Sequence, residues 1–136
     1  MSTALATVRT ASPAGHQGRD LARGLGWFSL VFGLTELALP GALSRTLGFG
    51  NRPALVAAYG VREIAAGAGI LLGGDPAPWI QARIAGDALD LATIAVPLFT
   101  RPDRREVDLT ALLVTAGVTA LDILCARRLG ALPRLR

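Results

Sequence analysis

Arg83 to Ile94 reads RIAGDALDLATI, and the reading of this stretch decides the fold. It lies inside a run from Trp79 to Phe99 that is otherwise apolar enough to cross a bilayer, yet it carries one arginine and two aspartates. The segment is either a water-soluble helix with a wet face or a membrane helix that keeps three ionisable groups. Helical spacing places Arg83 and Asp87 at i,i+4 and Asp87 and Asp90 at i,i+3, so all three share one side, and Arg83 can pair with Asp87 within the helix. Each aspartate opposes insertion by roughly 2.5–3.5 kcal/mol, against about 0.3–0.6 returned by each Leu, Ile, Val or Phe. Alone, this helix is a poor span; it needs neighbours that accept its polar side.

Three further apolar runs supply such neighbours. The first, LGWFSLVFGLTELALPGAL, covers residues 25–43 with Glu36 as its only ionisable group, and Pro40-Gly41 is expected to end or kink it. The second, PALVAAYGVREIAAGAGILLG, covers 53–73 with Arg62 and Glu63 at its middle, a proline suited to the first turn and Gly-Gly-Asp-Pro as its stop. The fourth, VDLTALLVTAGVTALDIL, covers 107–124 and carries Asp122 near its end. Each run is close to the ~20 residues needed to cross ~30 Å of hydrocarbon. A soluble helix of this length shows a continuous polar stripe, and none can be drawn on the first or the fourth run.

Composition agrees. Hydrophobic residues make up 51% of the 136-residue chain and charged residues 18%, which is apolar for a soluble domain and ordinary for a small membrane protein. Mean hydropathy is +0.46. The net charge of +4 comes from arginines that gather between and beyond the runs, where membrane-flanking charge sits, rather than on one face with interleaved aromatics. Nucleic acid is therefore not an expected partner. The single histidine, His16, and the single cysteine, Cys125, leave no intramolecular disulfide, no thiolate zinc site and no bis-histidine haem; no metal site and no cofactor is the leading expectation.

The expected architecture is all-α: a four-helix transmembrane bundle running up-down-up-down. A flexible tail over 1–20 precedes a membrane domain over 21–129, with helices near 25–43, 53–73, 79–99 and 107–126, and a basic tail over 130–136 follows. Glycines at helix-contact spacing, Gly60, Gly67 and Gly74 on the second helix and Gly26 and Gly33 on the first, mark candidate interfaces. Seven arginines at the termini against five in the first and third loops lead to the expectation that both ends lie on the cytoplasmic side of the membrane.

The candidate site is the polar core. In an antiparallel bundle Glu36, Arg62, Glu63, Asp87 and Asp90 fall near one depth, with Tyr59 one turn from Arg62 and Glu63, and Asp122 nearer one surface. Arg62 and Glu63 diverge by about 100° and are expected to address two different helices. Counting Arg83, two arginines face five carboxylates, and the excess must be protonated, hydrated or matched by something bound. Three readings stand: a binding or accessory module holding a lipid-like or isoprenoid molecule, or a partner helix, against the cluster; an intramembrane enzyme using Asp87 or Asp90 as general acid or metal ligand; and a structural subunit in which the charges join the helices. The lone Asp87-x-x-Asp90 pair lacks the second aspartate-rich motif of prenyl-transfer enzymes, and no triad, P-loop or GxGxxG is present, so binding is preferred to catalysis.

The segments RGLGWFSLVFGLTEL (23–37), AYGVREIAAGAGIL (58–71), RIAGDALDLATI (83–94) and VTALDILCARRL (118–129) together resemble a group of small bacterial four-helix membrane proteins of uncharacterised function. A similar segment precedes a cyclase/dehydrase-like (START-type) domain in longer chains. The resemblance covers roughly residues 20–129 and implies a helical membrane protein. Its candidate partners are membrane lipid, a separate START-type protein or further copies of the chain.

Overall fold

Proline and glycine punctuate the chain into five helices: α1 Pro13–Ala38, α2 Pro40–Thr46, α3 Pro53–Leu72, α4 Ala77–Thr100 and α5 Arg105–Arg128. The computed structural model describes residues 13–47, 49, 51–100 and 105–132, and among them there is no strand. Three of the expected helices, near 53–73, 79–99 and 107–126, stand within two residues of α3, α4 and α5.

The first run departs from expectation at both ends. Helix α1 begins at Pro13, inside the stretch assigned to a tail, and continues without a break to Ala38. Its first turns are held by packing that the local sequence does not advertise: Gly18 is buried against Arg128 and Leu129, and its carbonyl accepts from the Cys125 thiol at 3.4 Å. The remaining tail residues, 1–12 and 133–136, lie outside the described residues. At Leu39 the chain turns by 95° into α2, so the expected single helix over 25–43 is two. Pro40 lacks an N–H and disfavours helical geometry at the residue before it, and Leu39 accordingly sits at φ −128°, ψ 43°.

Side chains and turns close the other boundaries. The Arg52 N–H donates to Ser44 Oγ at 2.9 Å, tying α2 to the start of α3, where Pro53 occupies the first turn. Asp75 accepts the Ala77 N–H at 3.0 Å ahead of α4. Beyond α5 the chain turns at Gly130, whose φ of 69° suits glycine, and Ala131 N–H reaches back to the Ala126 carbonyl at 2.8 Å. Acidic Glu106 and Asp108 at the start of α5 and Arg127 and Arg128 at its end match the helix dipole.

Glycine sets the closest packing. A Cβ on Gly33 would stand 2.6 Å from the Gly60 carbonyl oxygen, one on Gly60 2.7 Å from that of Gly33, and one on Gly67 2.7 Å from that of Gly26. Helices α1 and α3 therefore run antiparallel with backbones in contact, along the two glycine heptads visible in the sequence. Gly74 lies beyond the contact, with open space around it. Helix α3 also packs on α4, α4 on α5, and α5 on α1. At one end all four long helices contribute to a small apolar core of Ala22, Leu25, Ile70, Ile80, Cys125 and Ala126.

Elsewhere the usual distribution is inverted. Val31 is 65% exposed and Leu113 71%, whereas Arg83 is 2% and Asp122 0% exposed. Two helices, α3 and α5, are each long and apolar enough to cross a membrane; the bent pair α1–α2 meets the same measure jointly, making three. Helix α4, which holds RIAGDALDLATI, does not meet it alone, in keeping with its unfavourable insertion balance.

Candidate functional site

Arg83 is the hub of the interior. From α4 its guanidinium grips Asp122 of α5 at two points, Nε to Oδ1 and Nη2 to Oδ2, both at 3.0 Å. Its remaining nitrogen, Nη1, donates to Glu63 Oε2 of α3 at 2.7 Å and to Ser29 Oγ of α1. The Ser29 hydroxyl in turn donates to Glu63 Oε2 at 2.8 Å. One side chain thus engages three helices besides its own, which suits the planar, forked guanidinium and no other side chain.

A second hub is built on Arg62. It holds Asp90 of α4 at two points, Nη1 to Oδ1 at 3.0 Å and Nη2 to Oδ2 at 2.7 Å, and Nη2 also donates to Glu63 Oε1 at 2.9 Å. The guanidinium lies 5.4 Å from the centre of the Tyr59 ring. Gly86 makes room for it, since a Cβ there would come within 2.8 Å of Arg62 Cζ. Tyr59 itself reaches α4 through Thr93, 3.1 Å from hydroxyl to hydroxyl. Glu63, bound at both oxygens, joins the hubs into one network from Asp90 through Arg62, Glu63 and Arg83 to Asp122.

One pairing that helical spacing allows is not made, and one expectation is corrected. Arg83 does not make its ion pair with Asp87, one turn along the same helix, but with Asp122 and Glu63, because a long side chain lying between helices gains more acceptors by reaching across than by folding back. Arg62 and Glu63 are not divided between two helices: both bond α4, at Asp90 and Arg83, Glu63 alone also takes Ser29 of α1, and the two meet each other, since the arginine stem can curl over the 100° between them. Asp122 joins the same network through Arg83 and is fully buried.

Glu36 lies outside the network, and Asp87 touches it only carboxyl to carboxyl, at Asp122, with no arginine paired to it. Both are 4% exposed, and Glu36 Oε2 and Asp87 Oδ2 have no hydrogen-bond partner. Glu36 lies on the α1 face that packs at Gly60. Asp87 lines a cleft of about 60 Å³ whose floor is made with Glu63, Arg83 and Asp90. Its walls are Phe28 and Phe32 of α1 and Val114, Thr115 and Val118 of α5. The two phenylalanine rings are stacked, 5.7 Å between centres and 8° from parallel, and both are 43% exposed, so the cleft meets the apolar exterior.

All eight residues singled out from the sequence lie in or beside this cluster. Asp87 and Asp90 both line the cleft but differ in pairing: Asp90 is committed to Arg62, and Asp87 has no arginine partner. Among the described residues no group of three or more His, Cys, Asp or Glu side chains is placed to hold a metal ion. Ser29, Thr93 and the cleft walls are additions. Ser29 was within reach of sequence reasoning, since Gly26, Ser29, Gly33 and Glu36 fall on one α1 face. The cleft was not, because it forms between α1 and α5, remote in sequence.

Geometry defines the class: a helical protein with an apolar exterior, a charged interior and a cleft between them. Comparison with protein-family models, curated proteins and solved structures finds no match to this chain.

Proposed function

We propose that this chain is a small integral membrane protein whose four long helices alternate across a bilayer as an up-down bundle, and that it holds the polar head of a lipid-like or isoprenoid molecule in the cleft between α1 and α5. The observation that carries the reading is the coincidence of a buried, unpartnered Asp87 oxygen with a cleft that meets the apolar exterior. An ionisable group inside a membrane is expensive unless it is paired or used, and Asp87 lacks the pairing given to Glu63, Asp90 and Asp122. The network takes the structural role, joining helices, and the cleft takes the binding role. The arginine bias orients both termini toward the cytoplasm of a bacterial cell.

Two measurements test this. The chain should sediment with membranes and resist alkaline carbonate, and native mass spectrometry from a mild non-ionic detergent should show a retained amphiphile that Thr115→Trp, filling the cleft, removes. Recovery in the soluble fraction after lysis without detergent would end the membrane reading. An equal complement of lipid on the parent chain and on Thr115→Trp would end the binding reading.

A further inference from the structure

We infer that the occupant of the cleft is a cation: the primary ammonium head of a long-chain amine, its tail left in the surrounding apolar phase. The inference rests on the proposal that the cleft is a headgroup site, and it narrows the chemistry of the head.

The first ground is the supply of donors and acceptors. Every Arg83 nitrogen that can donate is committed to Asp122, Glu63 or Ser29. On the α3 side, both terminal nitrogens of Arg62 donate to Asp90 or Glu63, and Arg62 does not line the cleft. Asp87 lines the cleft, and its buried Oδ2 has no hydrogen-bond partner, so the side chain keeps an unused acceptor. A site with an acceptor to offer and its cationic donors engaged selects a ligand that donates.

The second ground is charge. Glu63, Asp87 and Asp90 line the cleft with Arg83, and once Arg62, bonded to Asp90 and Glu63, and Asp122, bonded to Arg83, are counted, four carboxylates stand against two guanidiniums. A phosphate or carboxylate head would meet a like-charged surface, and a neutral hydroxyl would leave the excess uncompensated; a protonated amine answers both. The third ground is the mouth. Phe28 and Phe32 present stacked aromatic faces beside the opening, a surface that attracts a passing ammonium through its ring quadrupoles. The fourth is size: about 60 Å³ admits an ammonium group and an attached methylene or a water, but not a phosphocholine.

The experiment uses the purified full chain in nanodiscs of zwitterionic phosphatidylcholine, with empty nanodiscs subtracted, titrated calorimetrically with dodecylamine, dodecanol and dodecyl phosphate. Dodecylamine should bind saturably at one per chain, about tenfold or more tighter than either other probe. Asp87→Asn should weaken it roughly thirtyfold or more, as expected when one partner of a desolvated charge pair is removed. Thr115→Trp, which alters no charge, should abolish saturable binding. Dodecanol or dodecyl phosphate binding as tightly as dodecylamine, with Thr115→Trp still abolishing it, would overturn the ammonium inference and leave the headgroup site standing. No saturable binding of any probe would overturn both. If Asp87→Asn fails to accumulate, the comparison of the three probes on the parent chain still decides the charge, and Thr115→Trp the place.

Discussion

Replacing Arg83 by methionine should remove most of the stability of this protein. The side chain is 2% exposed and Asp122, its two-point partner, is 0% exposed, so the substitution leaves a carboxylate buried with no counter-charge. Breaking one buried pair in this way costs about 3–5 kcal/mol. Glu63 retains Arg62 as a partner, so its lost bond adds only a hydrogen bond's share, about 0.5–1.5 kcal/mol. The expected loss of about 4–6 kcal/mol compares with the ~5–15 kcal/mol typical of whole domains. Arg83→Lys keeps the charge but not the fork, and should fall between, at about 1–3 kcal/mol. Adding Asp122→Asn to Arg83→Met removes the stranded charge and should restore about 2 kcal/mol or more. The assay is reversible unfolding by dodecyl sulfate in mixed micelles, followed by far-ultraviolet circular dichroism. An Arg83→Met loss near 1 kcal/mol would refute the reasoning, because it would rank the hub with an average interhelical hydrogen bond, about 0.6 kcal/mol in a membrane protein. A double variant no more stable than Arg83→Met would do the same.

Three further outcomes are expected. Gly60→Ala, whose Cβ would stand 2.7 Å from the Gly33 carbonyl, should force α1 and α3 apart and lower stability by about 1–3 kcal/mol in the same assay, whereas Gly117→Ala, in open space, should be neutral or stabilising by up to about 1 kcal/mol; equal effects would mean the glycine contact does not set the packing. Tyr59→Phe removes a hydroxyl contact to Thr93 that already donates to the Leu89 carbonyl, and should lower stability by about 1 kcal/mol or less; a larger loss would assign Tyr59 a role beyond this bond. Cys125, fully buried and the only cysteine, should resist a membrane-permeant maleimide in the folded protein and react once dodecyl sulfate unfolds it; rapid labelling of the folded chain would contradict the packing of α5 on α1.

Much of the architecture was legible because it depends on neighbours in sequence. Prolines at 40 and 53 and the Gly-Gly-Asp-Pro stop act on the backbone next to them, so three helices stood within two residues of expectation. The glycine heptads were legible for a related reason: a face of small residues at period seven has one evident use, the close approach of another helix. The early start of α1 was not, since nothing in PAGHQGRD outweighs its polar, glycine-containing character except the docking of Gly18 on the end of α5. The 95° turn was only half legible; Pro40 announced a break, but the direction and the short α2 beyond it depend on Ser44 meeting the Arg52 N–H.

By itself, then, the sequence determined that the chain is helical, where three of its long helices fall, and that seven ionisable residues are carried on segments too apolar to leave them in water. Which of them pair was decided only by tertiary structure. Arg83 and Asp87 are one turn apart and look like partners, yet ion pairing depends on where the charged tips lie, and a guanidinium at the end of a long stem can reach a different helix as easily as its own. Once Arg83 had taken Asp122 and Glu63, and Arg62 had taken Asp90, Asp87 was left with an unpaired oxygen beside a cleft that only the packing of α1 and α5 creates.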